Sequence, residues 1–281
     1  MLHIGHTDGD GGGNAPFAAP DSIVRTIWGR GDTVLLIFAG AAAEFALNKS
    51  VDWLYFTGRL PADPLGRLFS TVAYAQRIVF ATKHDAEKAI DSIASIHKGV
   101  ETARGASIPA EAYLDVLFML IGYSVSAFEL VARRLTAAER TEVFDVFYRV
   151  GHRMGLEGLP VDYAAYEKAR ATHLDSRLEA GAFSKDLYQK YRQHLGAVRY
   201  ALLRQGQAML TPERVRRMLA LPSAPLLQFA VPFYKIGRAL NLDRPLLRSL
   251  LPRAYRSRLE EIDSQRTQPA VQEQFRPHHI G

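Results

Sequence analysis

The chain has 281 residues, of which 48% are hydrophobic and 23% charged, so it is globular and long enough to bury a substantial core. It contains no cysteine, which excludes disulfides, cysteine-ligated zinc, iron–sulfur clusters, thiolate-ligated haem and a cysteine nucleophile. The net charge of +6 permits anionic partners, but no run of five basic residues occurs, and we expect no nucleic-acid partner.

The N-terminal segment, residues 1–20, combines histidine, aspartate and a glycine run, which predicts a disordered leader. It lacks the basic start and apolar centre of a secretory signal. Two later apolar stretches, 34–47 and 114–132, contain acidic residues, and both fall short of the roughly 20 uninterrupted apolar residues of a membrane span. We therefore expect both stretches to be buried core helices and the protein to be cytoplasmic.

From residue 21 to 263 the hydrophobic periodicity is helical, and it predicts one large all-α domain of about ten helices. Asp63-Pro64 places proline in a first helical turn, and Thr136-Ala-Ala-Glu139 is a capping box. Strand alternation and long internal repeats are absent from the sequence. The candidate helices are 32–56, 64–82, 85–104, 109–134, 137–154, 162–178, 185–209, 212–220, 226–240 and 245–262.

The end of the chain divides into two parts. Residues 242–258 mix leucine with arginine, which suits either contact with an anionic membrane surface or a helix that packs its leucines on the core. We favour the second interpretation, while peripheral membrane contact stays open. Residues 264–281 are polar, and we expect this tail to fray.

Four residues indicate chemistry. Arg67, Ser70 and Thr71 are spaced i, i+3 and i+4, so their side chains share one face of the helix predicted for 64–82. His97 lies on the apolar stripe of the next helix, which points its ring inward. A basic group, two hydroxyls and a buried imidazole suggest a lined cavity rather than a plain core.

Each of these residues also has a simpler interpretation. His97 could be a core histidine bonded to a backbone carbonyl, and Arg67 could pair with Asp63. The hydroxyls of Ser70 and Thr71 could bond to their own helix. Several aromatic residues could line an apolar substrate cavity or simply fill the core: Phe69, Tyr74, Phe118, Tyr123 and Phe128.

The segment from about residue 28 to 221 resembles the MpaB/rubber-oxygenase family, which includes the latex-clearing proteins. Order and spacing agree over most of the helical domain. The residues that carry the resemblance are Asp63-Pro64-Leu65-Gly66-Arg67-Leu68-Phe69-Ser70-Thr71-Val72-Ala73-Tyr74, Val79-Phe80-Ala81-Thr82, Ile93-Ala94-Ser95-Ile96-His97-Lys98-Gly99-Val100 and Met154-Gly155-Leu156-Glu157-Gly158-Leu159-Pro160.

The resemblance implies an all-helical fold that holds a b-type haem, with His97 as the iron ligand. It implies that Arg67 and Thr71 are catalytic residues on the opposite, oxygen-binding side, where Ser70 also borders the cofactor. The family's reaction is oxidative cleavage of a carbon–carbon double bond in an isoprenoid-like chain by dioxygen. The expected partners are therefore dioxygen and a hydrophobic, unsaturated small molecule.

The sequence also departs from the family's pattern. Rubber oxygenases have a lysine where this chain has Ser70, and a serine cannot replace a neutral amine as sixth iron ligand. Their arginines around the histidine are Ala94 and Glu101 here. The Gln-x-x-His-Pro signature before the Arg/Thr helix is missing. Candidates by residue type are Asp52 or Glu44 for the acid or base, and Arg59, Arg67, Lys98 and Arg199 for the haem propionates.

We therefore expect a haem-dependent oxygenase. The alternative is a haem carrier or sensor of the same fold without turnover, which the missing arginines and the missing signature keep open. A basic helical module that binds anionic membrane or nucleic acid is a third, weaker interpretation.

Overall fold

The structure is a computed structural model that describes residues 13–58, 62–240 and 242–265. These residues form thirteen α-helices, two short 3-10 helices and no strand, which confirms the expected single all-α domain. The α-helices are α1 Ile23–Trp28, α2 Gly31–Phe45, α3 Val51–Phe56, α4 Pro64–Val79, α5 Lys83–Arg104, α6 Ala110–Val131, α7 Ala137–Arg153, α8 Tyr163–Ser176, α9 Ala182–Leu210, α10 Glu213–Met218, α11 Val231–Ala239, α12 Asp243–Leu250 and α13 Arg256–Gln265. The 3-10 helices are Leu226–Phe229 and Arg253–Tyr255.

The core is built around α2 and α6, which form the most extensive helix pair. They run antiparallel, since Glu44 contacts Tyr123 while Asn48, one turn later, contacts Asp115. Helix α6 is long and apolar enough to cross a membrane, but 67% of its apolar window is buried inside the fold. It is therefore best understood as the central core helix.

Three carboxylates are buried in this core and are neutralised by hydrogen bonds from other helices. Asp32 and Glu44 lie on α2, and Asp115 lies on α6. Their principal partners are Arg238 and Tyr234 for Asp32, Arg170 and Tyr123 for Glu44, and His173, Asn48 and Arg177 for Asp115.

The structure has more helices than the periodicity predicted, because three expected helices are interrupted. The predicted helix 226–240 consists of the 3-10 helix Leu226–Phe229 followed by α11. The predicted helix 32–56 is divided into α2 and α3 at Asn48, whose Oδ1 accepts from the backbone N–H of Ser50 at 2.8 Å. Such a local bond competes with helical hydrogen bonding. The predicted helix 245–262 is broken at Pro252, which lacks an N–H and holds Leu251 in an extended conformation with ψ of 144°.

The ends of the domain also differ from the expectation. Residues 1–12 of the expected leader lie outside the described residues, but Phe17 and Ala18 are buried, and the Phe17 N–H donates to the Ala81 carbonyl at 2.9 Å. Helix α1 was not predicted because six residues are too few to show a period. At the other end α13 reaches Gln265, and the rest of the expected tail lies outside the described residues.

Helix α9 changes direction at Gly196, whose φ of 73° and ψ of 170° are not helical. Before this residue, Leu187 and Tyr191 pack in a small apolar cluster with Ala46. After it, the side-chain amide of Gln207 donates to the backbone carbonyl of Ala39 in α2 at 3.1 Å. The two halves of α9 also contact each other, because the Tyr188 hydroxyl donates to the Gln207 side-chain oxygen at 2.9 Å.

Candidate functional site

The candidate site lies on two consecutive helices, α4 and α5, which pack against each other. Helix α4 begins after Asp63, whose carboxylate accepts from the backbone N–H of Gly66 at 2.8 Å, with Pro64 in the first turn. Helix α5 begins after Thr82, which caps the N–H of Asp85. A turn of three residues therefore fixes how the two helices face each other.

Arg67, Ser70 and Thr71 form one connected group on α4, as their spacing predicted. The Arg67 guanidinium donates to the Thr71 hydroxyl at 2.6 Å and to the Ser70 hydroxyl at 3.4 Å. Both hydroxyls in turn donate to the Arg67 backbone carbonyl, at 2.8 Å from Ser70 and 3.2 Å from Thr71. The hydroxyls thus bond to their own helix, and they also orient the guanidinium over this face of α4.

His97 lies on α5 with its Nδ1 atom buried, and no described residue gives that atom a hydrogen bond. Burial lowers the pKa of His97, the charge of Arg67 lowers it further, and Glu101 opposes both. The imidazole is therefore neutral at neutral pH and has an unused nitrogen. The expectation of a core histidine bonded to a backbone carbonyl is not met at Nδ1.

A tyrosine and a glutamate that the sequence did not single out as site residues surround His97. The Tyr113 ring on α6 meets the His97 ring edge to face, with centroids 5.2 Å apart. Tyr113 also bonds to Glu101, and burial together with this carboxylate raises the pKa of Tyr113 to about 12. Glu101 accepts from the Ile108 N–H at 2.9 Å as well, so it fixes the turn between α5 and α6. Glu101 therefore has a positioning role, although the family has an arginine there.

The structure distinguishes the two candidates for an acid or base. Glu44 is buried and binds Arg170 through both carboxylate oxygens, so it has a structural role. Asp52 on α3 is partly exposed and accepts from Arg104 at 2.6 Å. Arg104 lies seven residues after His97 on the same face of α5, which places the Asp52–Arg104 pair two turns from the imidazole.

The other candidates are distributed over the fold. Among the candidates for propionate binding, Lys98 is exposed beside His97, Arg199 donates to the Ser249 carbonyl near α12, and Arg59 lies outside the described residues. Of the aromatic residues proposed as a cavity lining, Phe128 alone lines either of the two surface pockets described below. Phe69, Phe118, Tyr123 and Phe128 are core residues, and Tyr74 is partly exposed.

The described residues contain no group of three or more His, Asp or Glu side chains that could hold a free metal ion. A haem iron takes four ligands from its porphyrin, so the protein need supply only one imidazole. Neither of two surface pockets, of about 410 and 450 Å³, includes Arg67, Ser70, Thr71 or His97; Phe128 lines the first and Arg199 the second. The exposed side chains of Ser70 and Ile96 show that solvent reaches this side of α4 and α5.

Residues 27–242 match the family described as "ER-bound oxygenase mpaB/B'/Rubber oxygenase, catalytic domain". The chain belongs to this family. No curated protein and no solved structure gives a significant match. The mpaB/rubber-oxygenase match covers every helix from α2 to α11 and includes all four candidate site residues, and it supports a general oxygenase role for this chain.

Proposed function

We propose that the protein is a b-type haem-dependent oxygenase that acts on a hydrophobic, unsaturated, isoprenoid-like substrate. The observation that carries the proposal is His97, a neutral imidazole with an unpartnered buried nitrogen beside the Arg67–Thr71 group. Membership of an oxygenase family supports the reaction class. We also propose that the protein works in the cytoplasm.

In this proposal His97 would hold the haem iron, because a neutral imidazole is a common protein ligand of haem iron. Arg67 and the exposed Lys98 are the cations beside it that could pair with propionates. Bound haem would supply the redox chemistry that lets dioxygen react with an alkene. In the overall reaction the carbon–carbon double bond breaks, and each carbon takes one oxygen atom of dioxygen to become a carbonyl.

The residues of α4 would act on the side of the cofactor where dioxygen reacts. Arg67 and Thr71 would lie on that side, and the mutual bonds of Arg67, Ser70 and Thr71 hold these polar side chains in place on α4. Ser70 has no amine that could act as an iron ligand, unlike the lysine of rubber oxygenases. It would therefore leave its side of the cofactor accessible to dioxygen.

A carrier or sensor that binds haem without turnover is the second candidate. It is favoured by Ala94 and Glu101, which replace two arginines of the rubber oxygenases, and by the role of Glu101 in the turn before α6. The two candidates share the haem site and differ in whether dioxygen is consumed.

The haem site is tested by absorption spectroscopy of the purified protein, with reconstitution by haemin where needed. The wild type should show a Soret band, and His97→Ala should lose it or retain haem far more weakly. His194→Ala is a matched control, because His194 is an exposed histidine on α9. A wild type that stays colourless after reconstitution, or a His97→Ala variant with an unchanged spectrum, would contradict the proposal.

The Ser70→Lys variant tests whether position 70 borders the iron on the side opposite His97. If Ser70 borders the sixth iron position, the new amine should coordinate there and shift the spectrum towards that of six-coordinate iron. Oxygen uptake with a panel of polyisoprenoid and terpenoid alkenes then separates the two candidate functions. Uptake with carbonyl products supports the oxygenase, whereas haem binding without uptake supports the carrier or sensor.

A further inference from the structure

Helix α11 has its apolar side turned towards solvent. Four large apolar side chains on α11 and at its two ends are between 62% and 76% exposed: Phe229, Phe233, Ile236 and Leu240. Their spacing of 4, 3 and 4 residues places them on one side of the helix. Scattered exposed apolar residues are ordinary, but a contiguous stripe marks an interaction surface.

The polar side of α11 is turned towards the protein. Arg238 and Tyr234 donate to the buried carboxylate of Asp32, at 2.6 and 3.0 Å. Lys235 donates to the Glu129 carbonyl at the end of α6, at 3.4 Å. These bonds fix α11 on the protein surface with its apolar stripe outward, which is the reverse of the usual arrangement of a surface helix.

Segments of this chain outside the described residues are poor candidates to cover the stripe. Residues 1–12 and 266–281 contain at most two neighbouring apolar residues among polar ones. The leucines of the segment after α11 pack elsewhere, since Leu247 and Leu251 are buried in the core, as the sequence favoured. Neither of these segments supplies an apolar face that matches the stripe, which favours an occupant from outside the chain.

The charge around α11 indicates what this occupant is. Arg133 and Arg134 are exposed at the end of α6 that Lys235 contacts; Arg133 donates to Glu139, at 2.6 and 2.8 Å, so Arg134 and Lys235 supply the excess positive charge beside α11. The whole chain carries +6. A second copy placed with its stripe against this one would bring like charges together, whereas an anionic bilayer would attract them.

We propose that α11 docks on the surface of an anionic lipid bilayer. Its stripe would enter the boundary between headgroups and acyl chains, and the basic side chains beside it would contact the anionic headgroups. The helix would lie in the plane of the membrane without crossing it. The proposal does not depend on haem or on oxygenase activity.

The test is co-sedimentation of the full-length protein with vesicles. One set is phosphatidylcholine alone, and the other contains about a quarter phosphatidylglycerol. The wild type should bind the anionic set, and added salt should weaken the binding. Phe233→Ser combined with Ile236→Ser should weaken it about tenfold or more at an unchanged melting temperature, since both side chains are exposed. Val161→Ser, an exposed valine between α7 and α8, should bind like the wild type.

The Phe233→Trp variant distinguishes a lipid occupant from a protein occupant. Lipids brominated on their acyl chains should quench the fluorescence that this variant adds, because such quenching requires contact with the bilayer interior. The proposal is overturned if the wild type sediments with neither vesicle, or if the double variant binds as well as the wild type. It is also overturned if the protein is a dimer that the double variant dissociates while vesicles bind neither form. None of these results would affect the haem proposal.

Discussion

Removing Arg170 should cost the fold several kilocalories per mole, because its carboxylate partner cannot reach water. The side chains of Glu44 and Arg170 are only 2% and 12% exposed. Arg170 donates to both carboxylate oxygens, and Tyr123 adds one hydrogen bond at 2.8 Å. Burial lowers the pKa of Arg170, but the bonds and charge of Glu44 outweigh it and raise the pKa above its ordinary value. Arg170→Leu leaves a buried carboxylate with one donor, and the expected loss is about 3–5 kcal/mol.

The matched control is Arg153→Leu on α7. Arg153 also binds a carboxylate through two nitrogens, at 2.9 and 2.7 Å to Asp91, but these side chains are 45% and 52% exposed. Solvent screens this pair, and its removal should cost about 1 kcal/mol or less. Urea unfolding at neutral pH, followed by far-ultraviolet circular dichroism, measures both losses. Combining Arg170→Leu with Glu44→Leu should recover part of the lost stability, because no unpaired charge then remains buried, although the buried Tyr123 hydroxyl loses its acceptor.

Two results would refute this reasoning. One is an Arg170→Leu variant that loses no more stability than Arg153→Leu. The other is a Glu44→Gln variant that keeps the stability of the wild type but loses turnover, since that would make Glu44 the acid or base rather than a structural carboxylate.

Two more predictions concern α2 and its contacts. Gly40→Ala should destabilise the protein by about 1–3 kcal/mol, because the new Cβ would lie 2.4 Å from the buried Tyr123 ring. Gly99→Ala, in an open part of α5, is the control and should be neutral or stabilising. Equal melting temperatures of the two variants would contradict this prediction. Burial raises the pKa of Asp32, but the hydrogen bond and charge of Arg238 outweigh it, so the net pKa is lowered. The contribution of Asp32 to stability is therefore complete at neutral pH and is lost as the pH falls below about 4 and through the lowered pKa. The difference in unfolding free energy between wild type and Asp32→Asn should shrink over that range, and a difference independent of pH would be the contrary result.

Most of the long helices could be predicted from the sequence, because their apolar periods and caps are local. The interruption at Asn48 could not, since its side chain also bonds Asp115, which is 67 residues away; the interruption at Pro252 has a local cause that the sequence does contain. The direction in which α11 faces depends on the bond between Arg238 and Asp32, which are 206 residues apart. The break at Asn48 and the orientation of α11 thus depend on residues far away in the sequence, which the local pattern does not contain.

The candidate site shows the same division. Arg67, Ser70 and Thr71 share a face because helical spacing requires it, and the structure places them so. Tyr113 could not be assigned from the sequence, because its contacts with His97 and Glu101 depend on the turn between α5 and α6. The roles of the four predicted residues towards haem stay predictions until the spectra are measured.

Gly196 has a consequence for how the chain tolerates substitution. In an uninterrupted helix, residues 188 and 207 would lie about 28 Å apart along the axis. The non-helical conformation at Gly196 instead lets the Tyr188 hydroxyl donate to the Gln207 side-chain oxygen at 2.9 Å. Any other residue would be strained at that φ and ψ. The contact between the two halves of α9 therefore rests on one missing side chain.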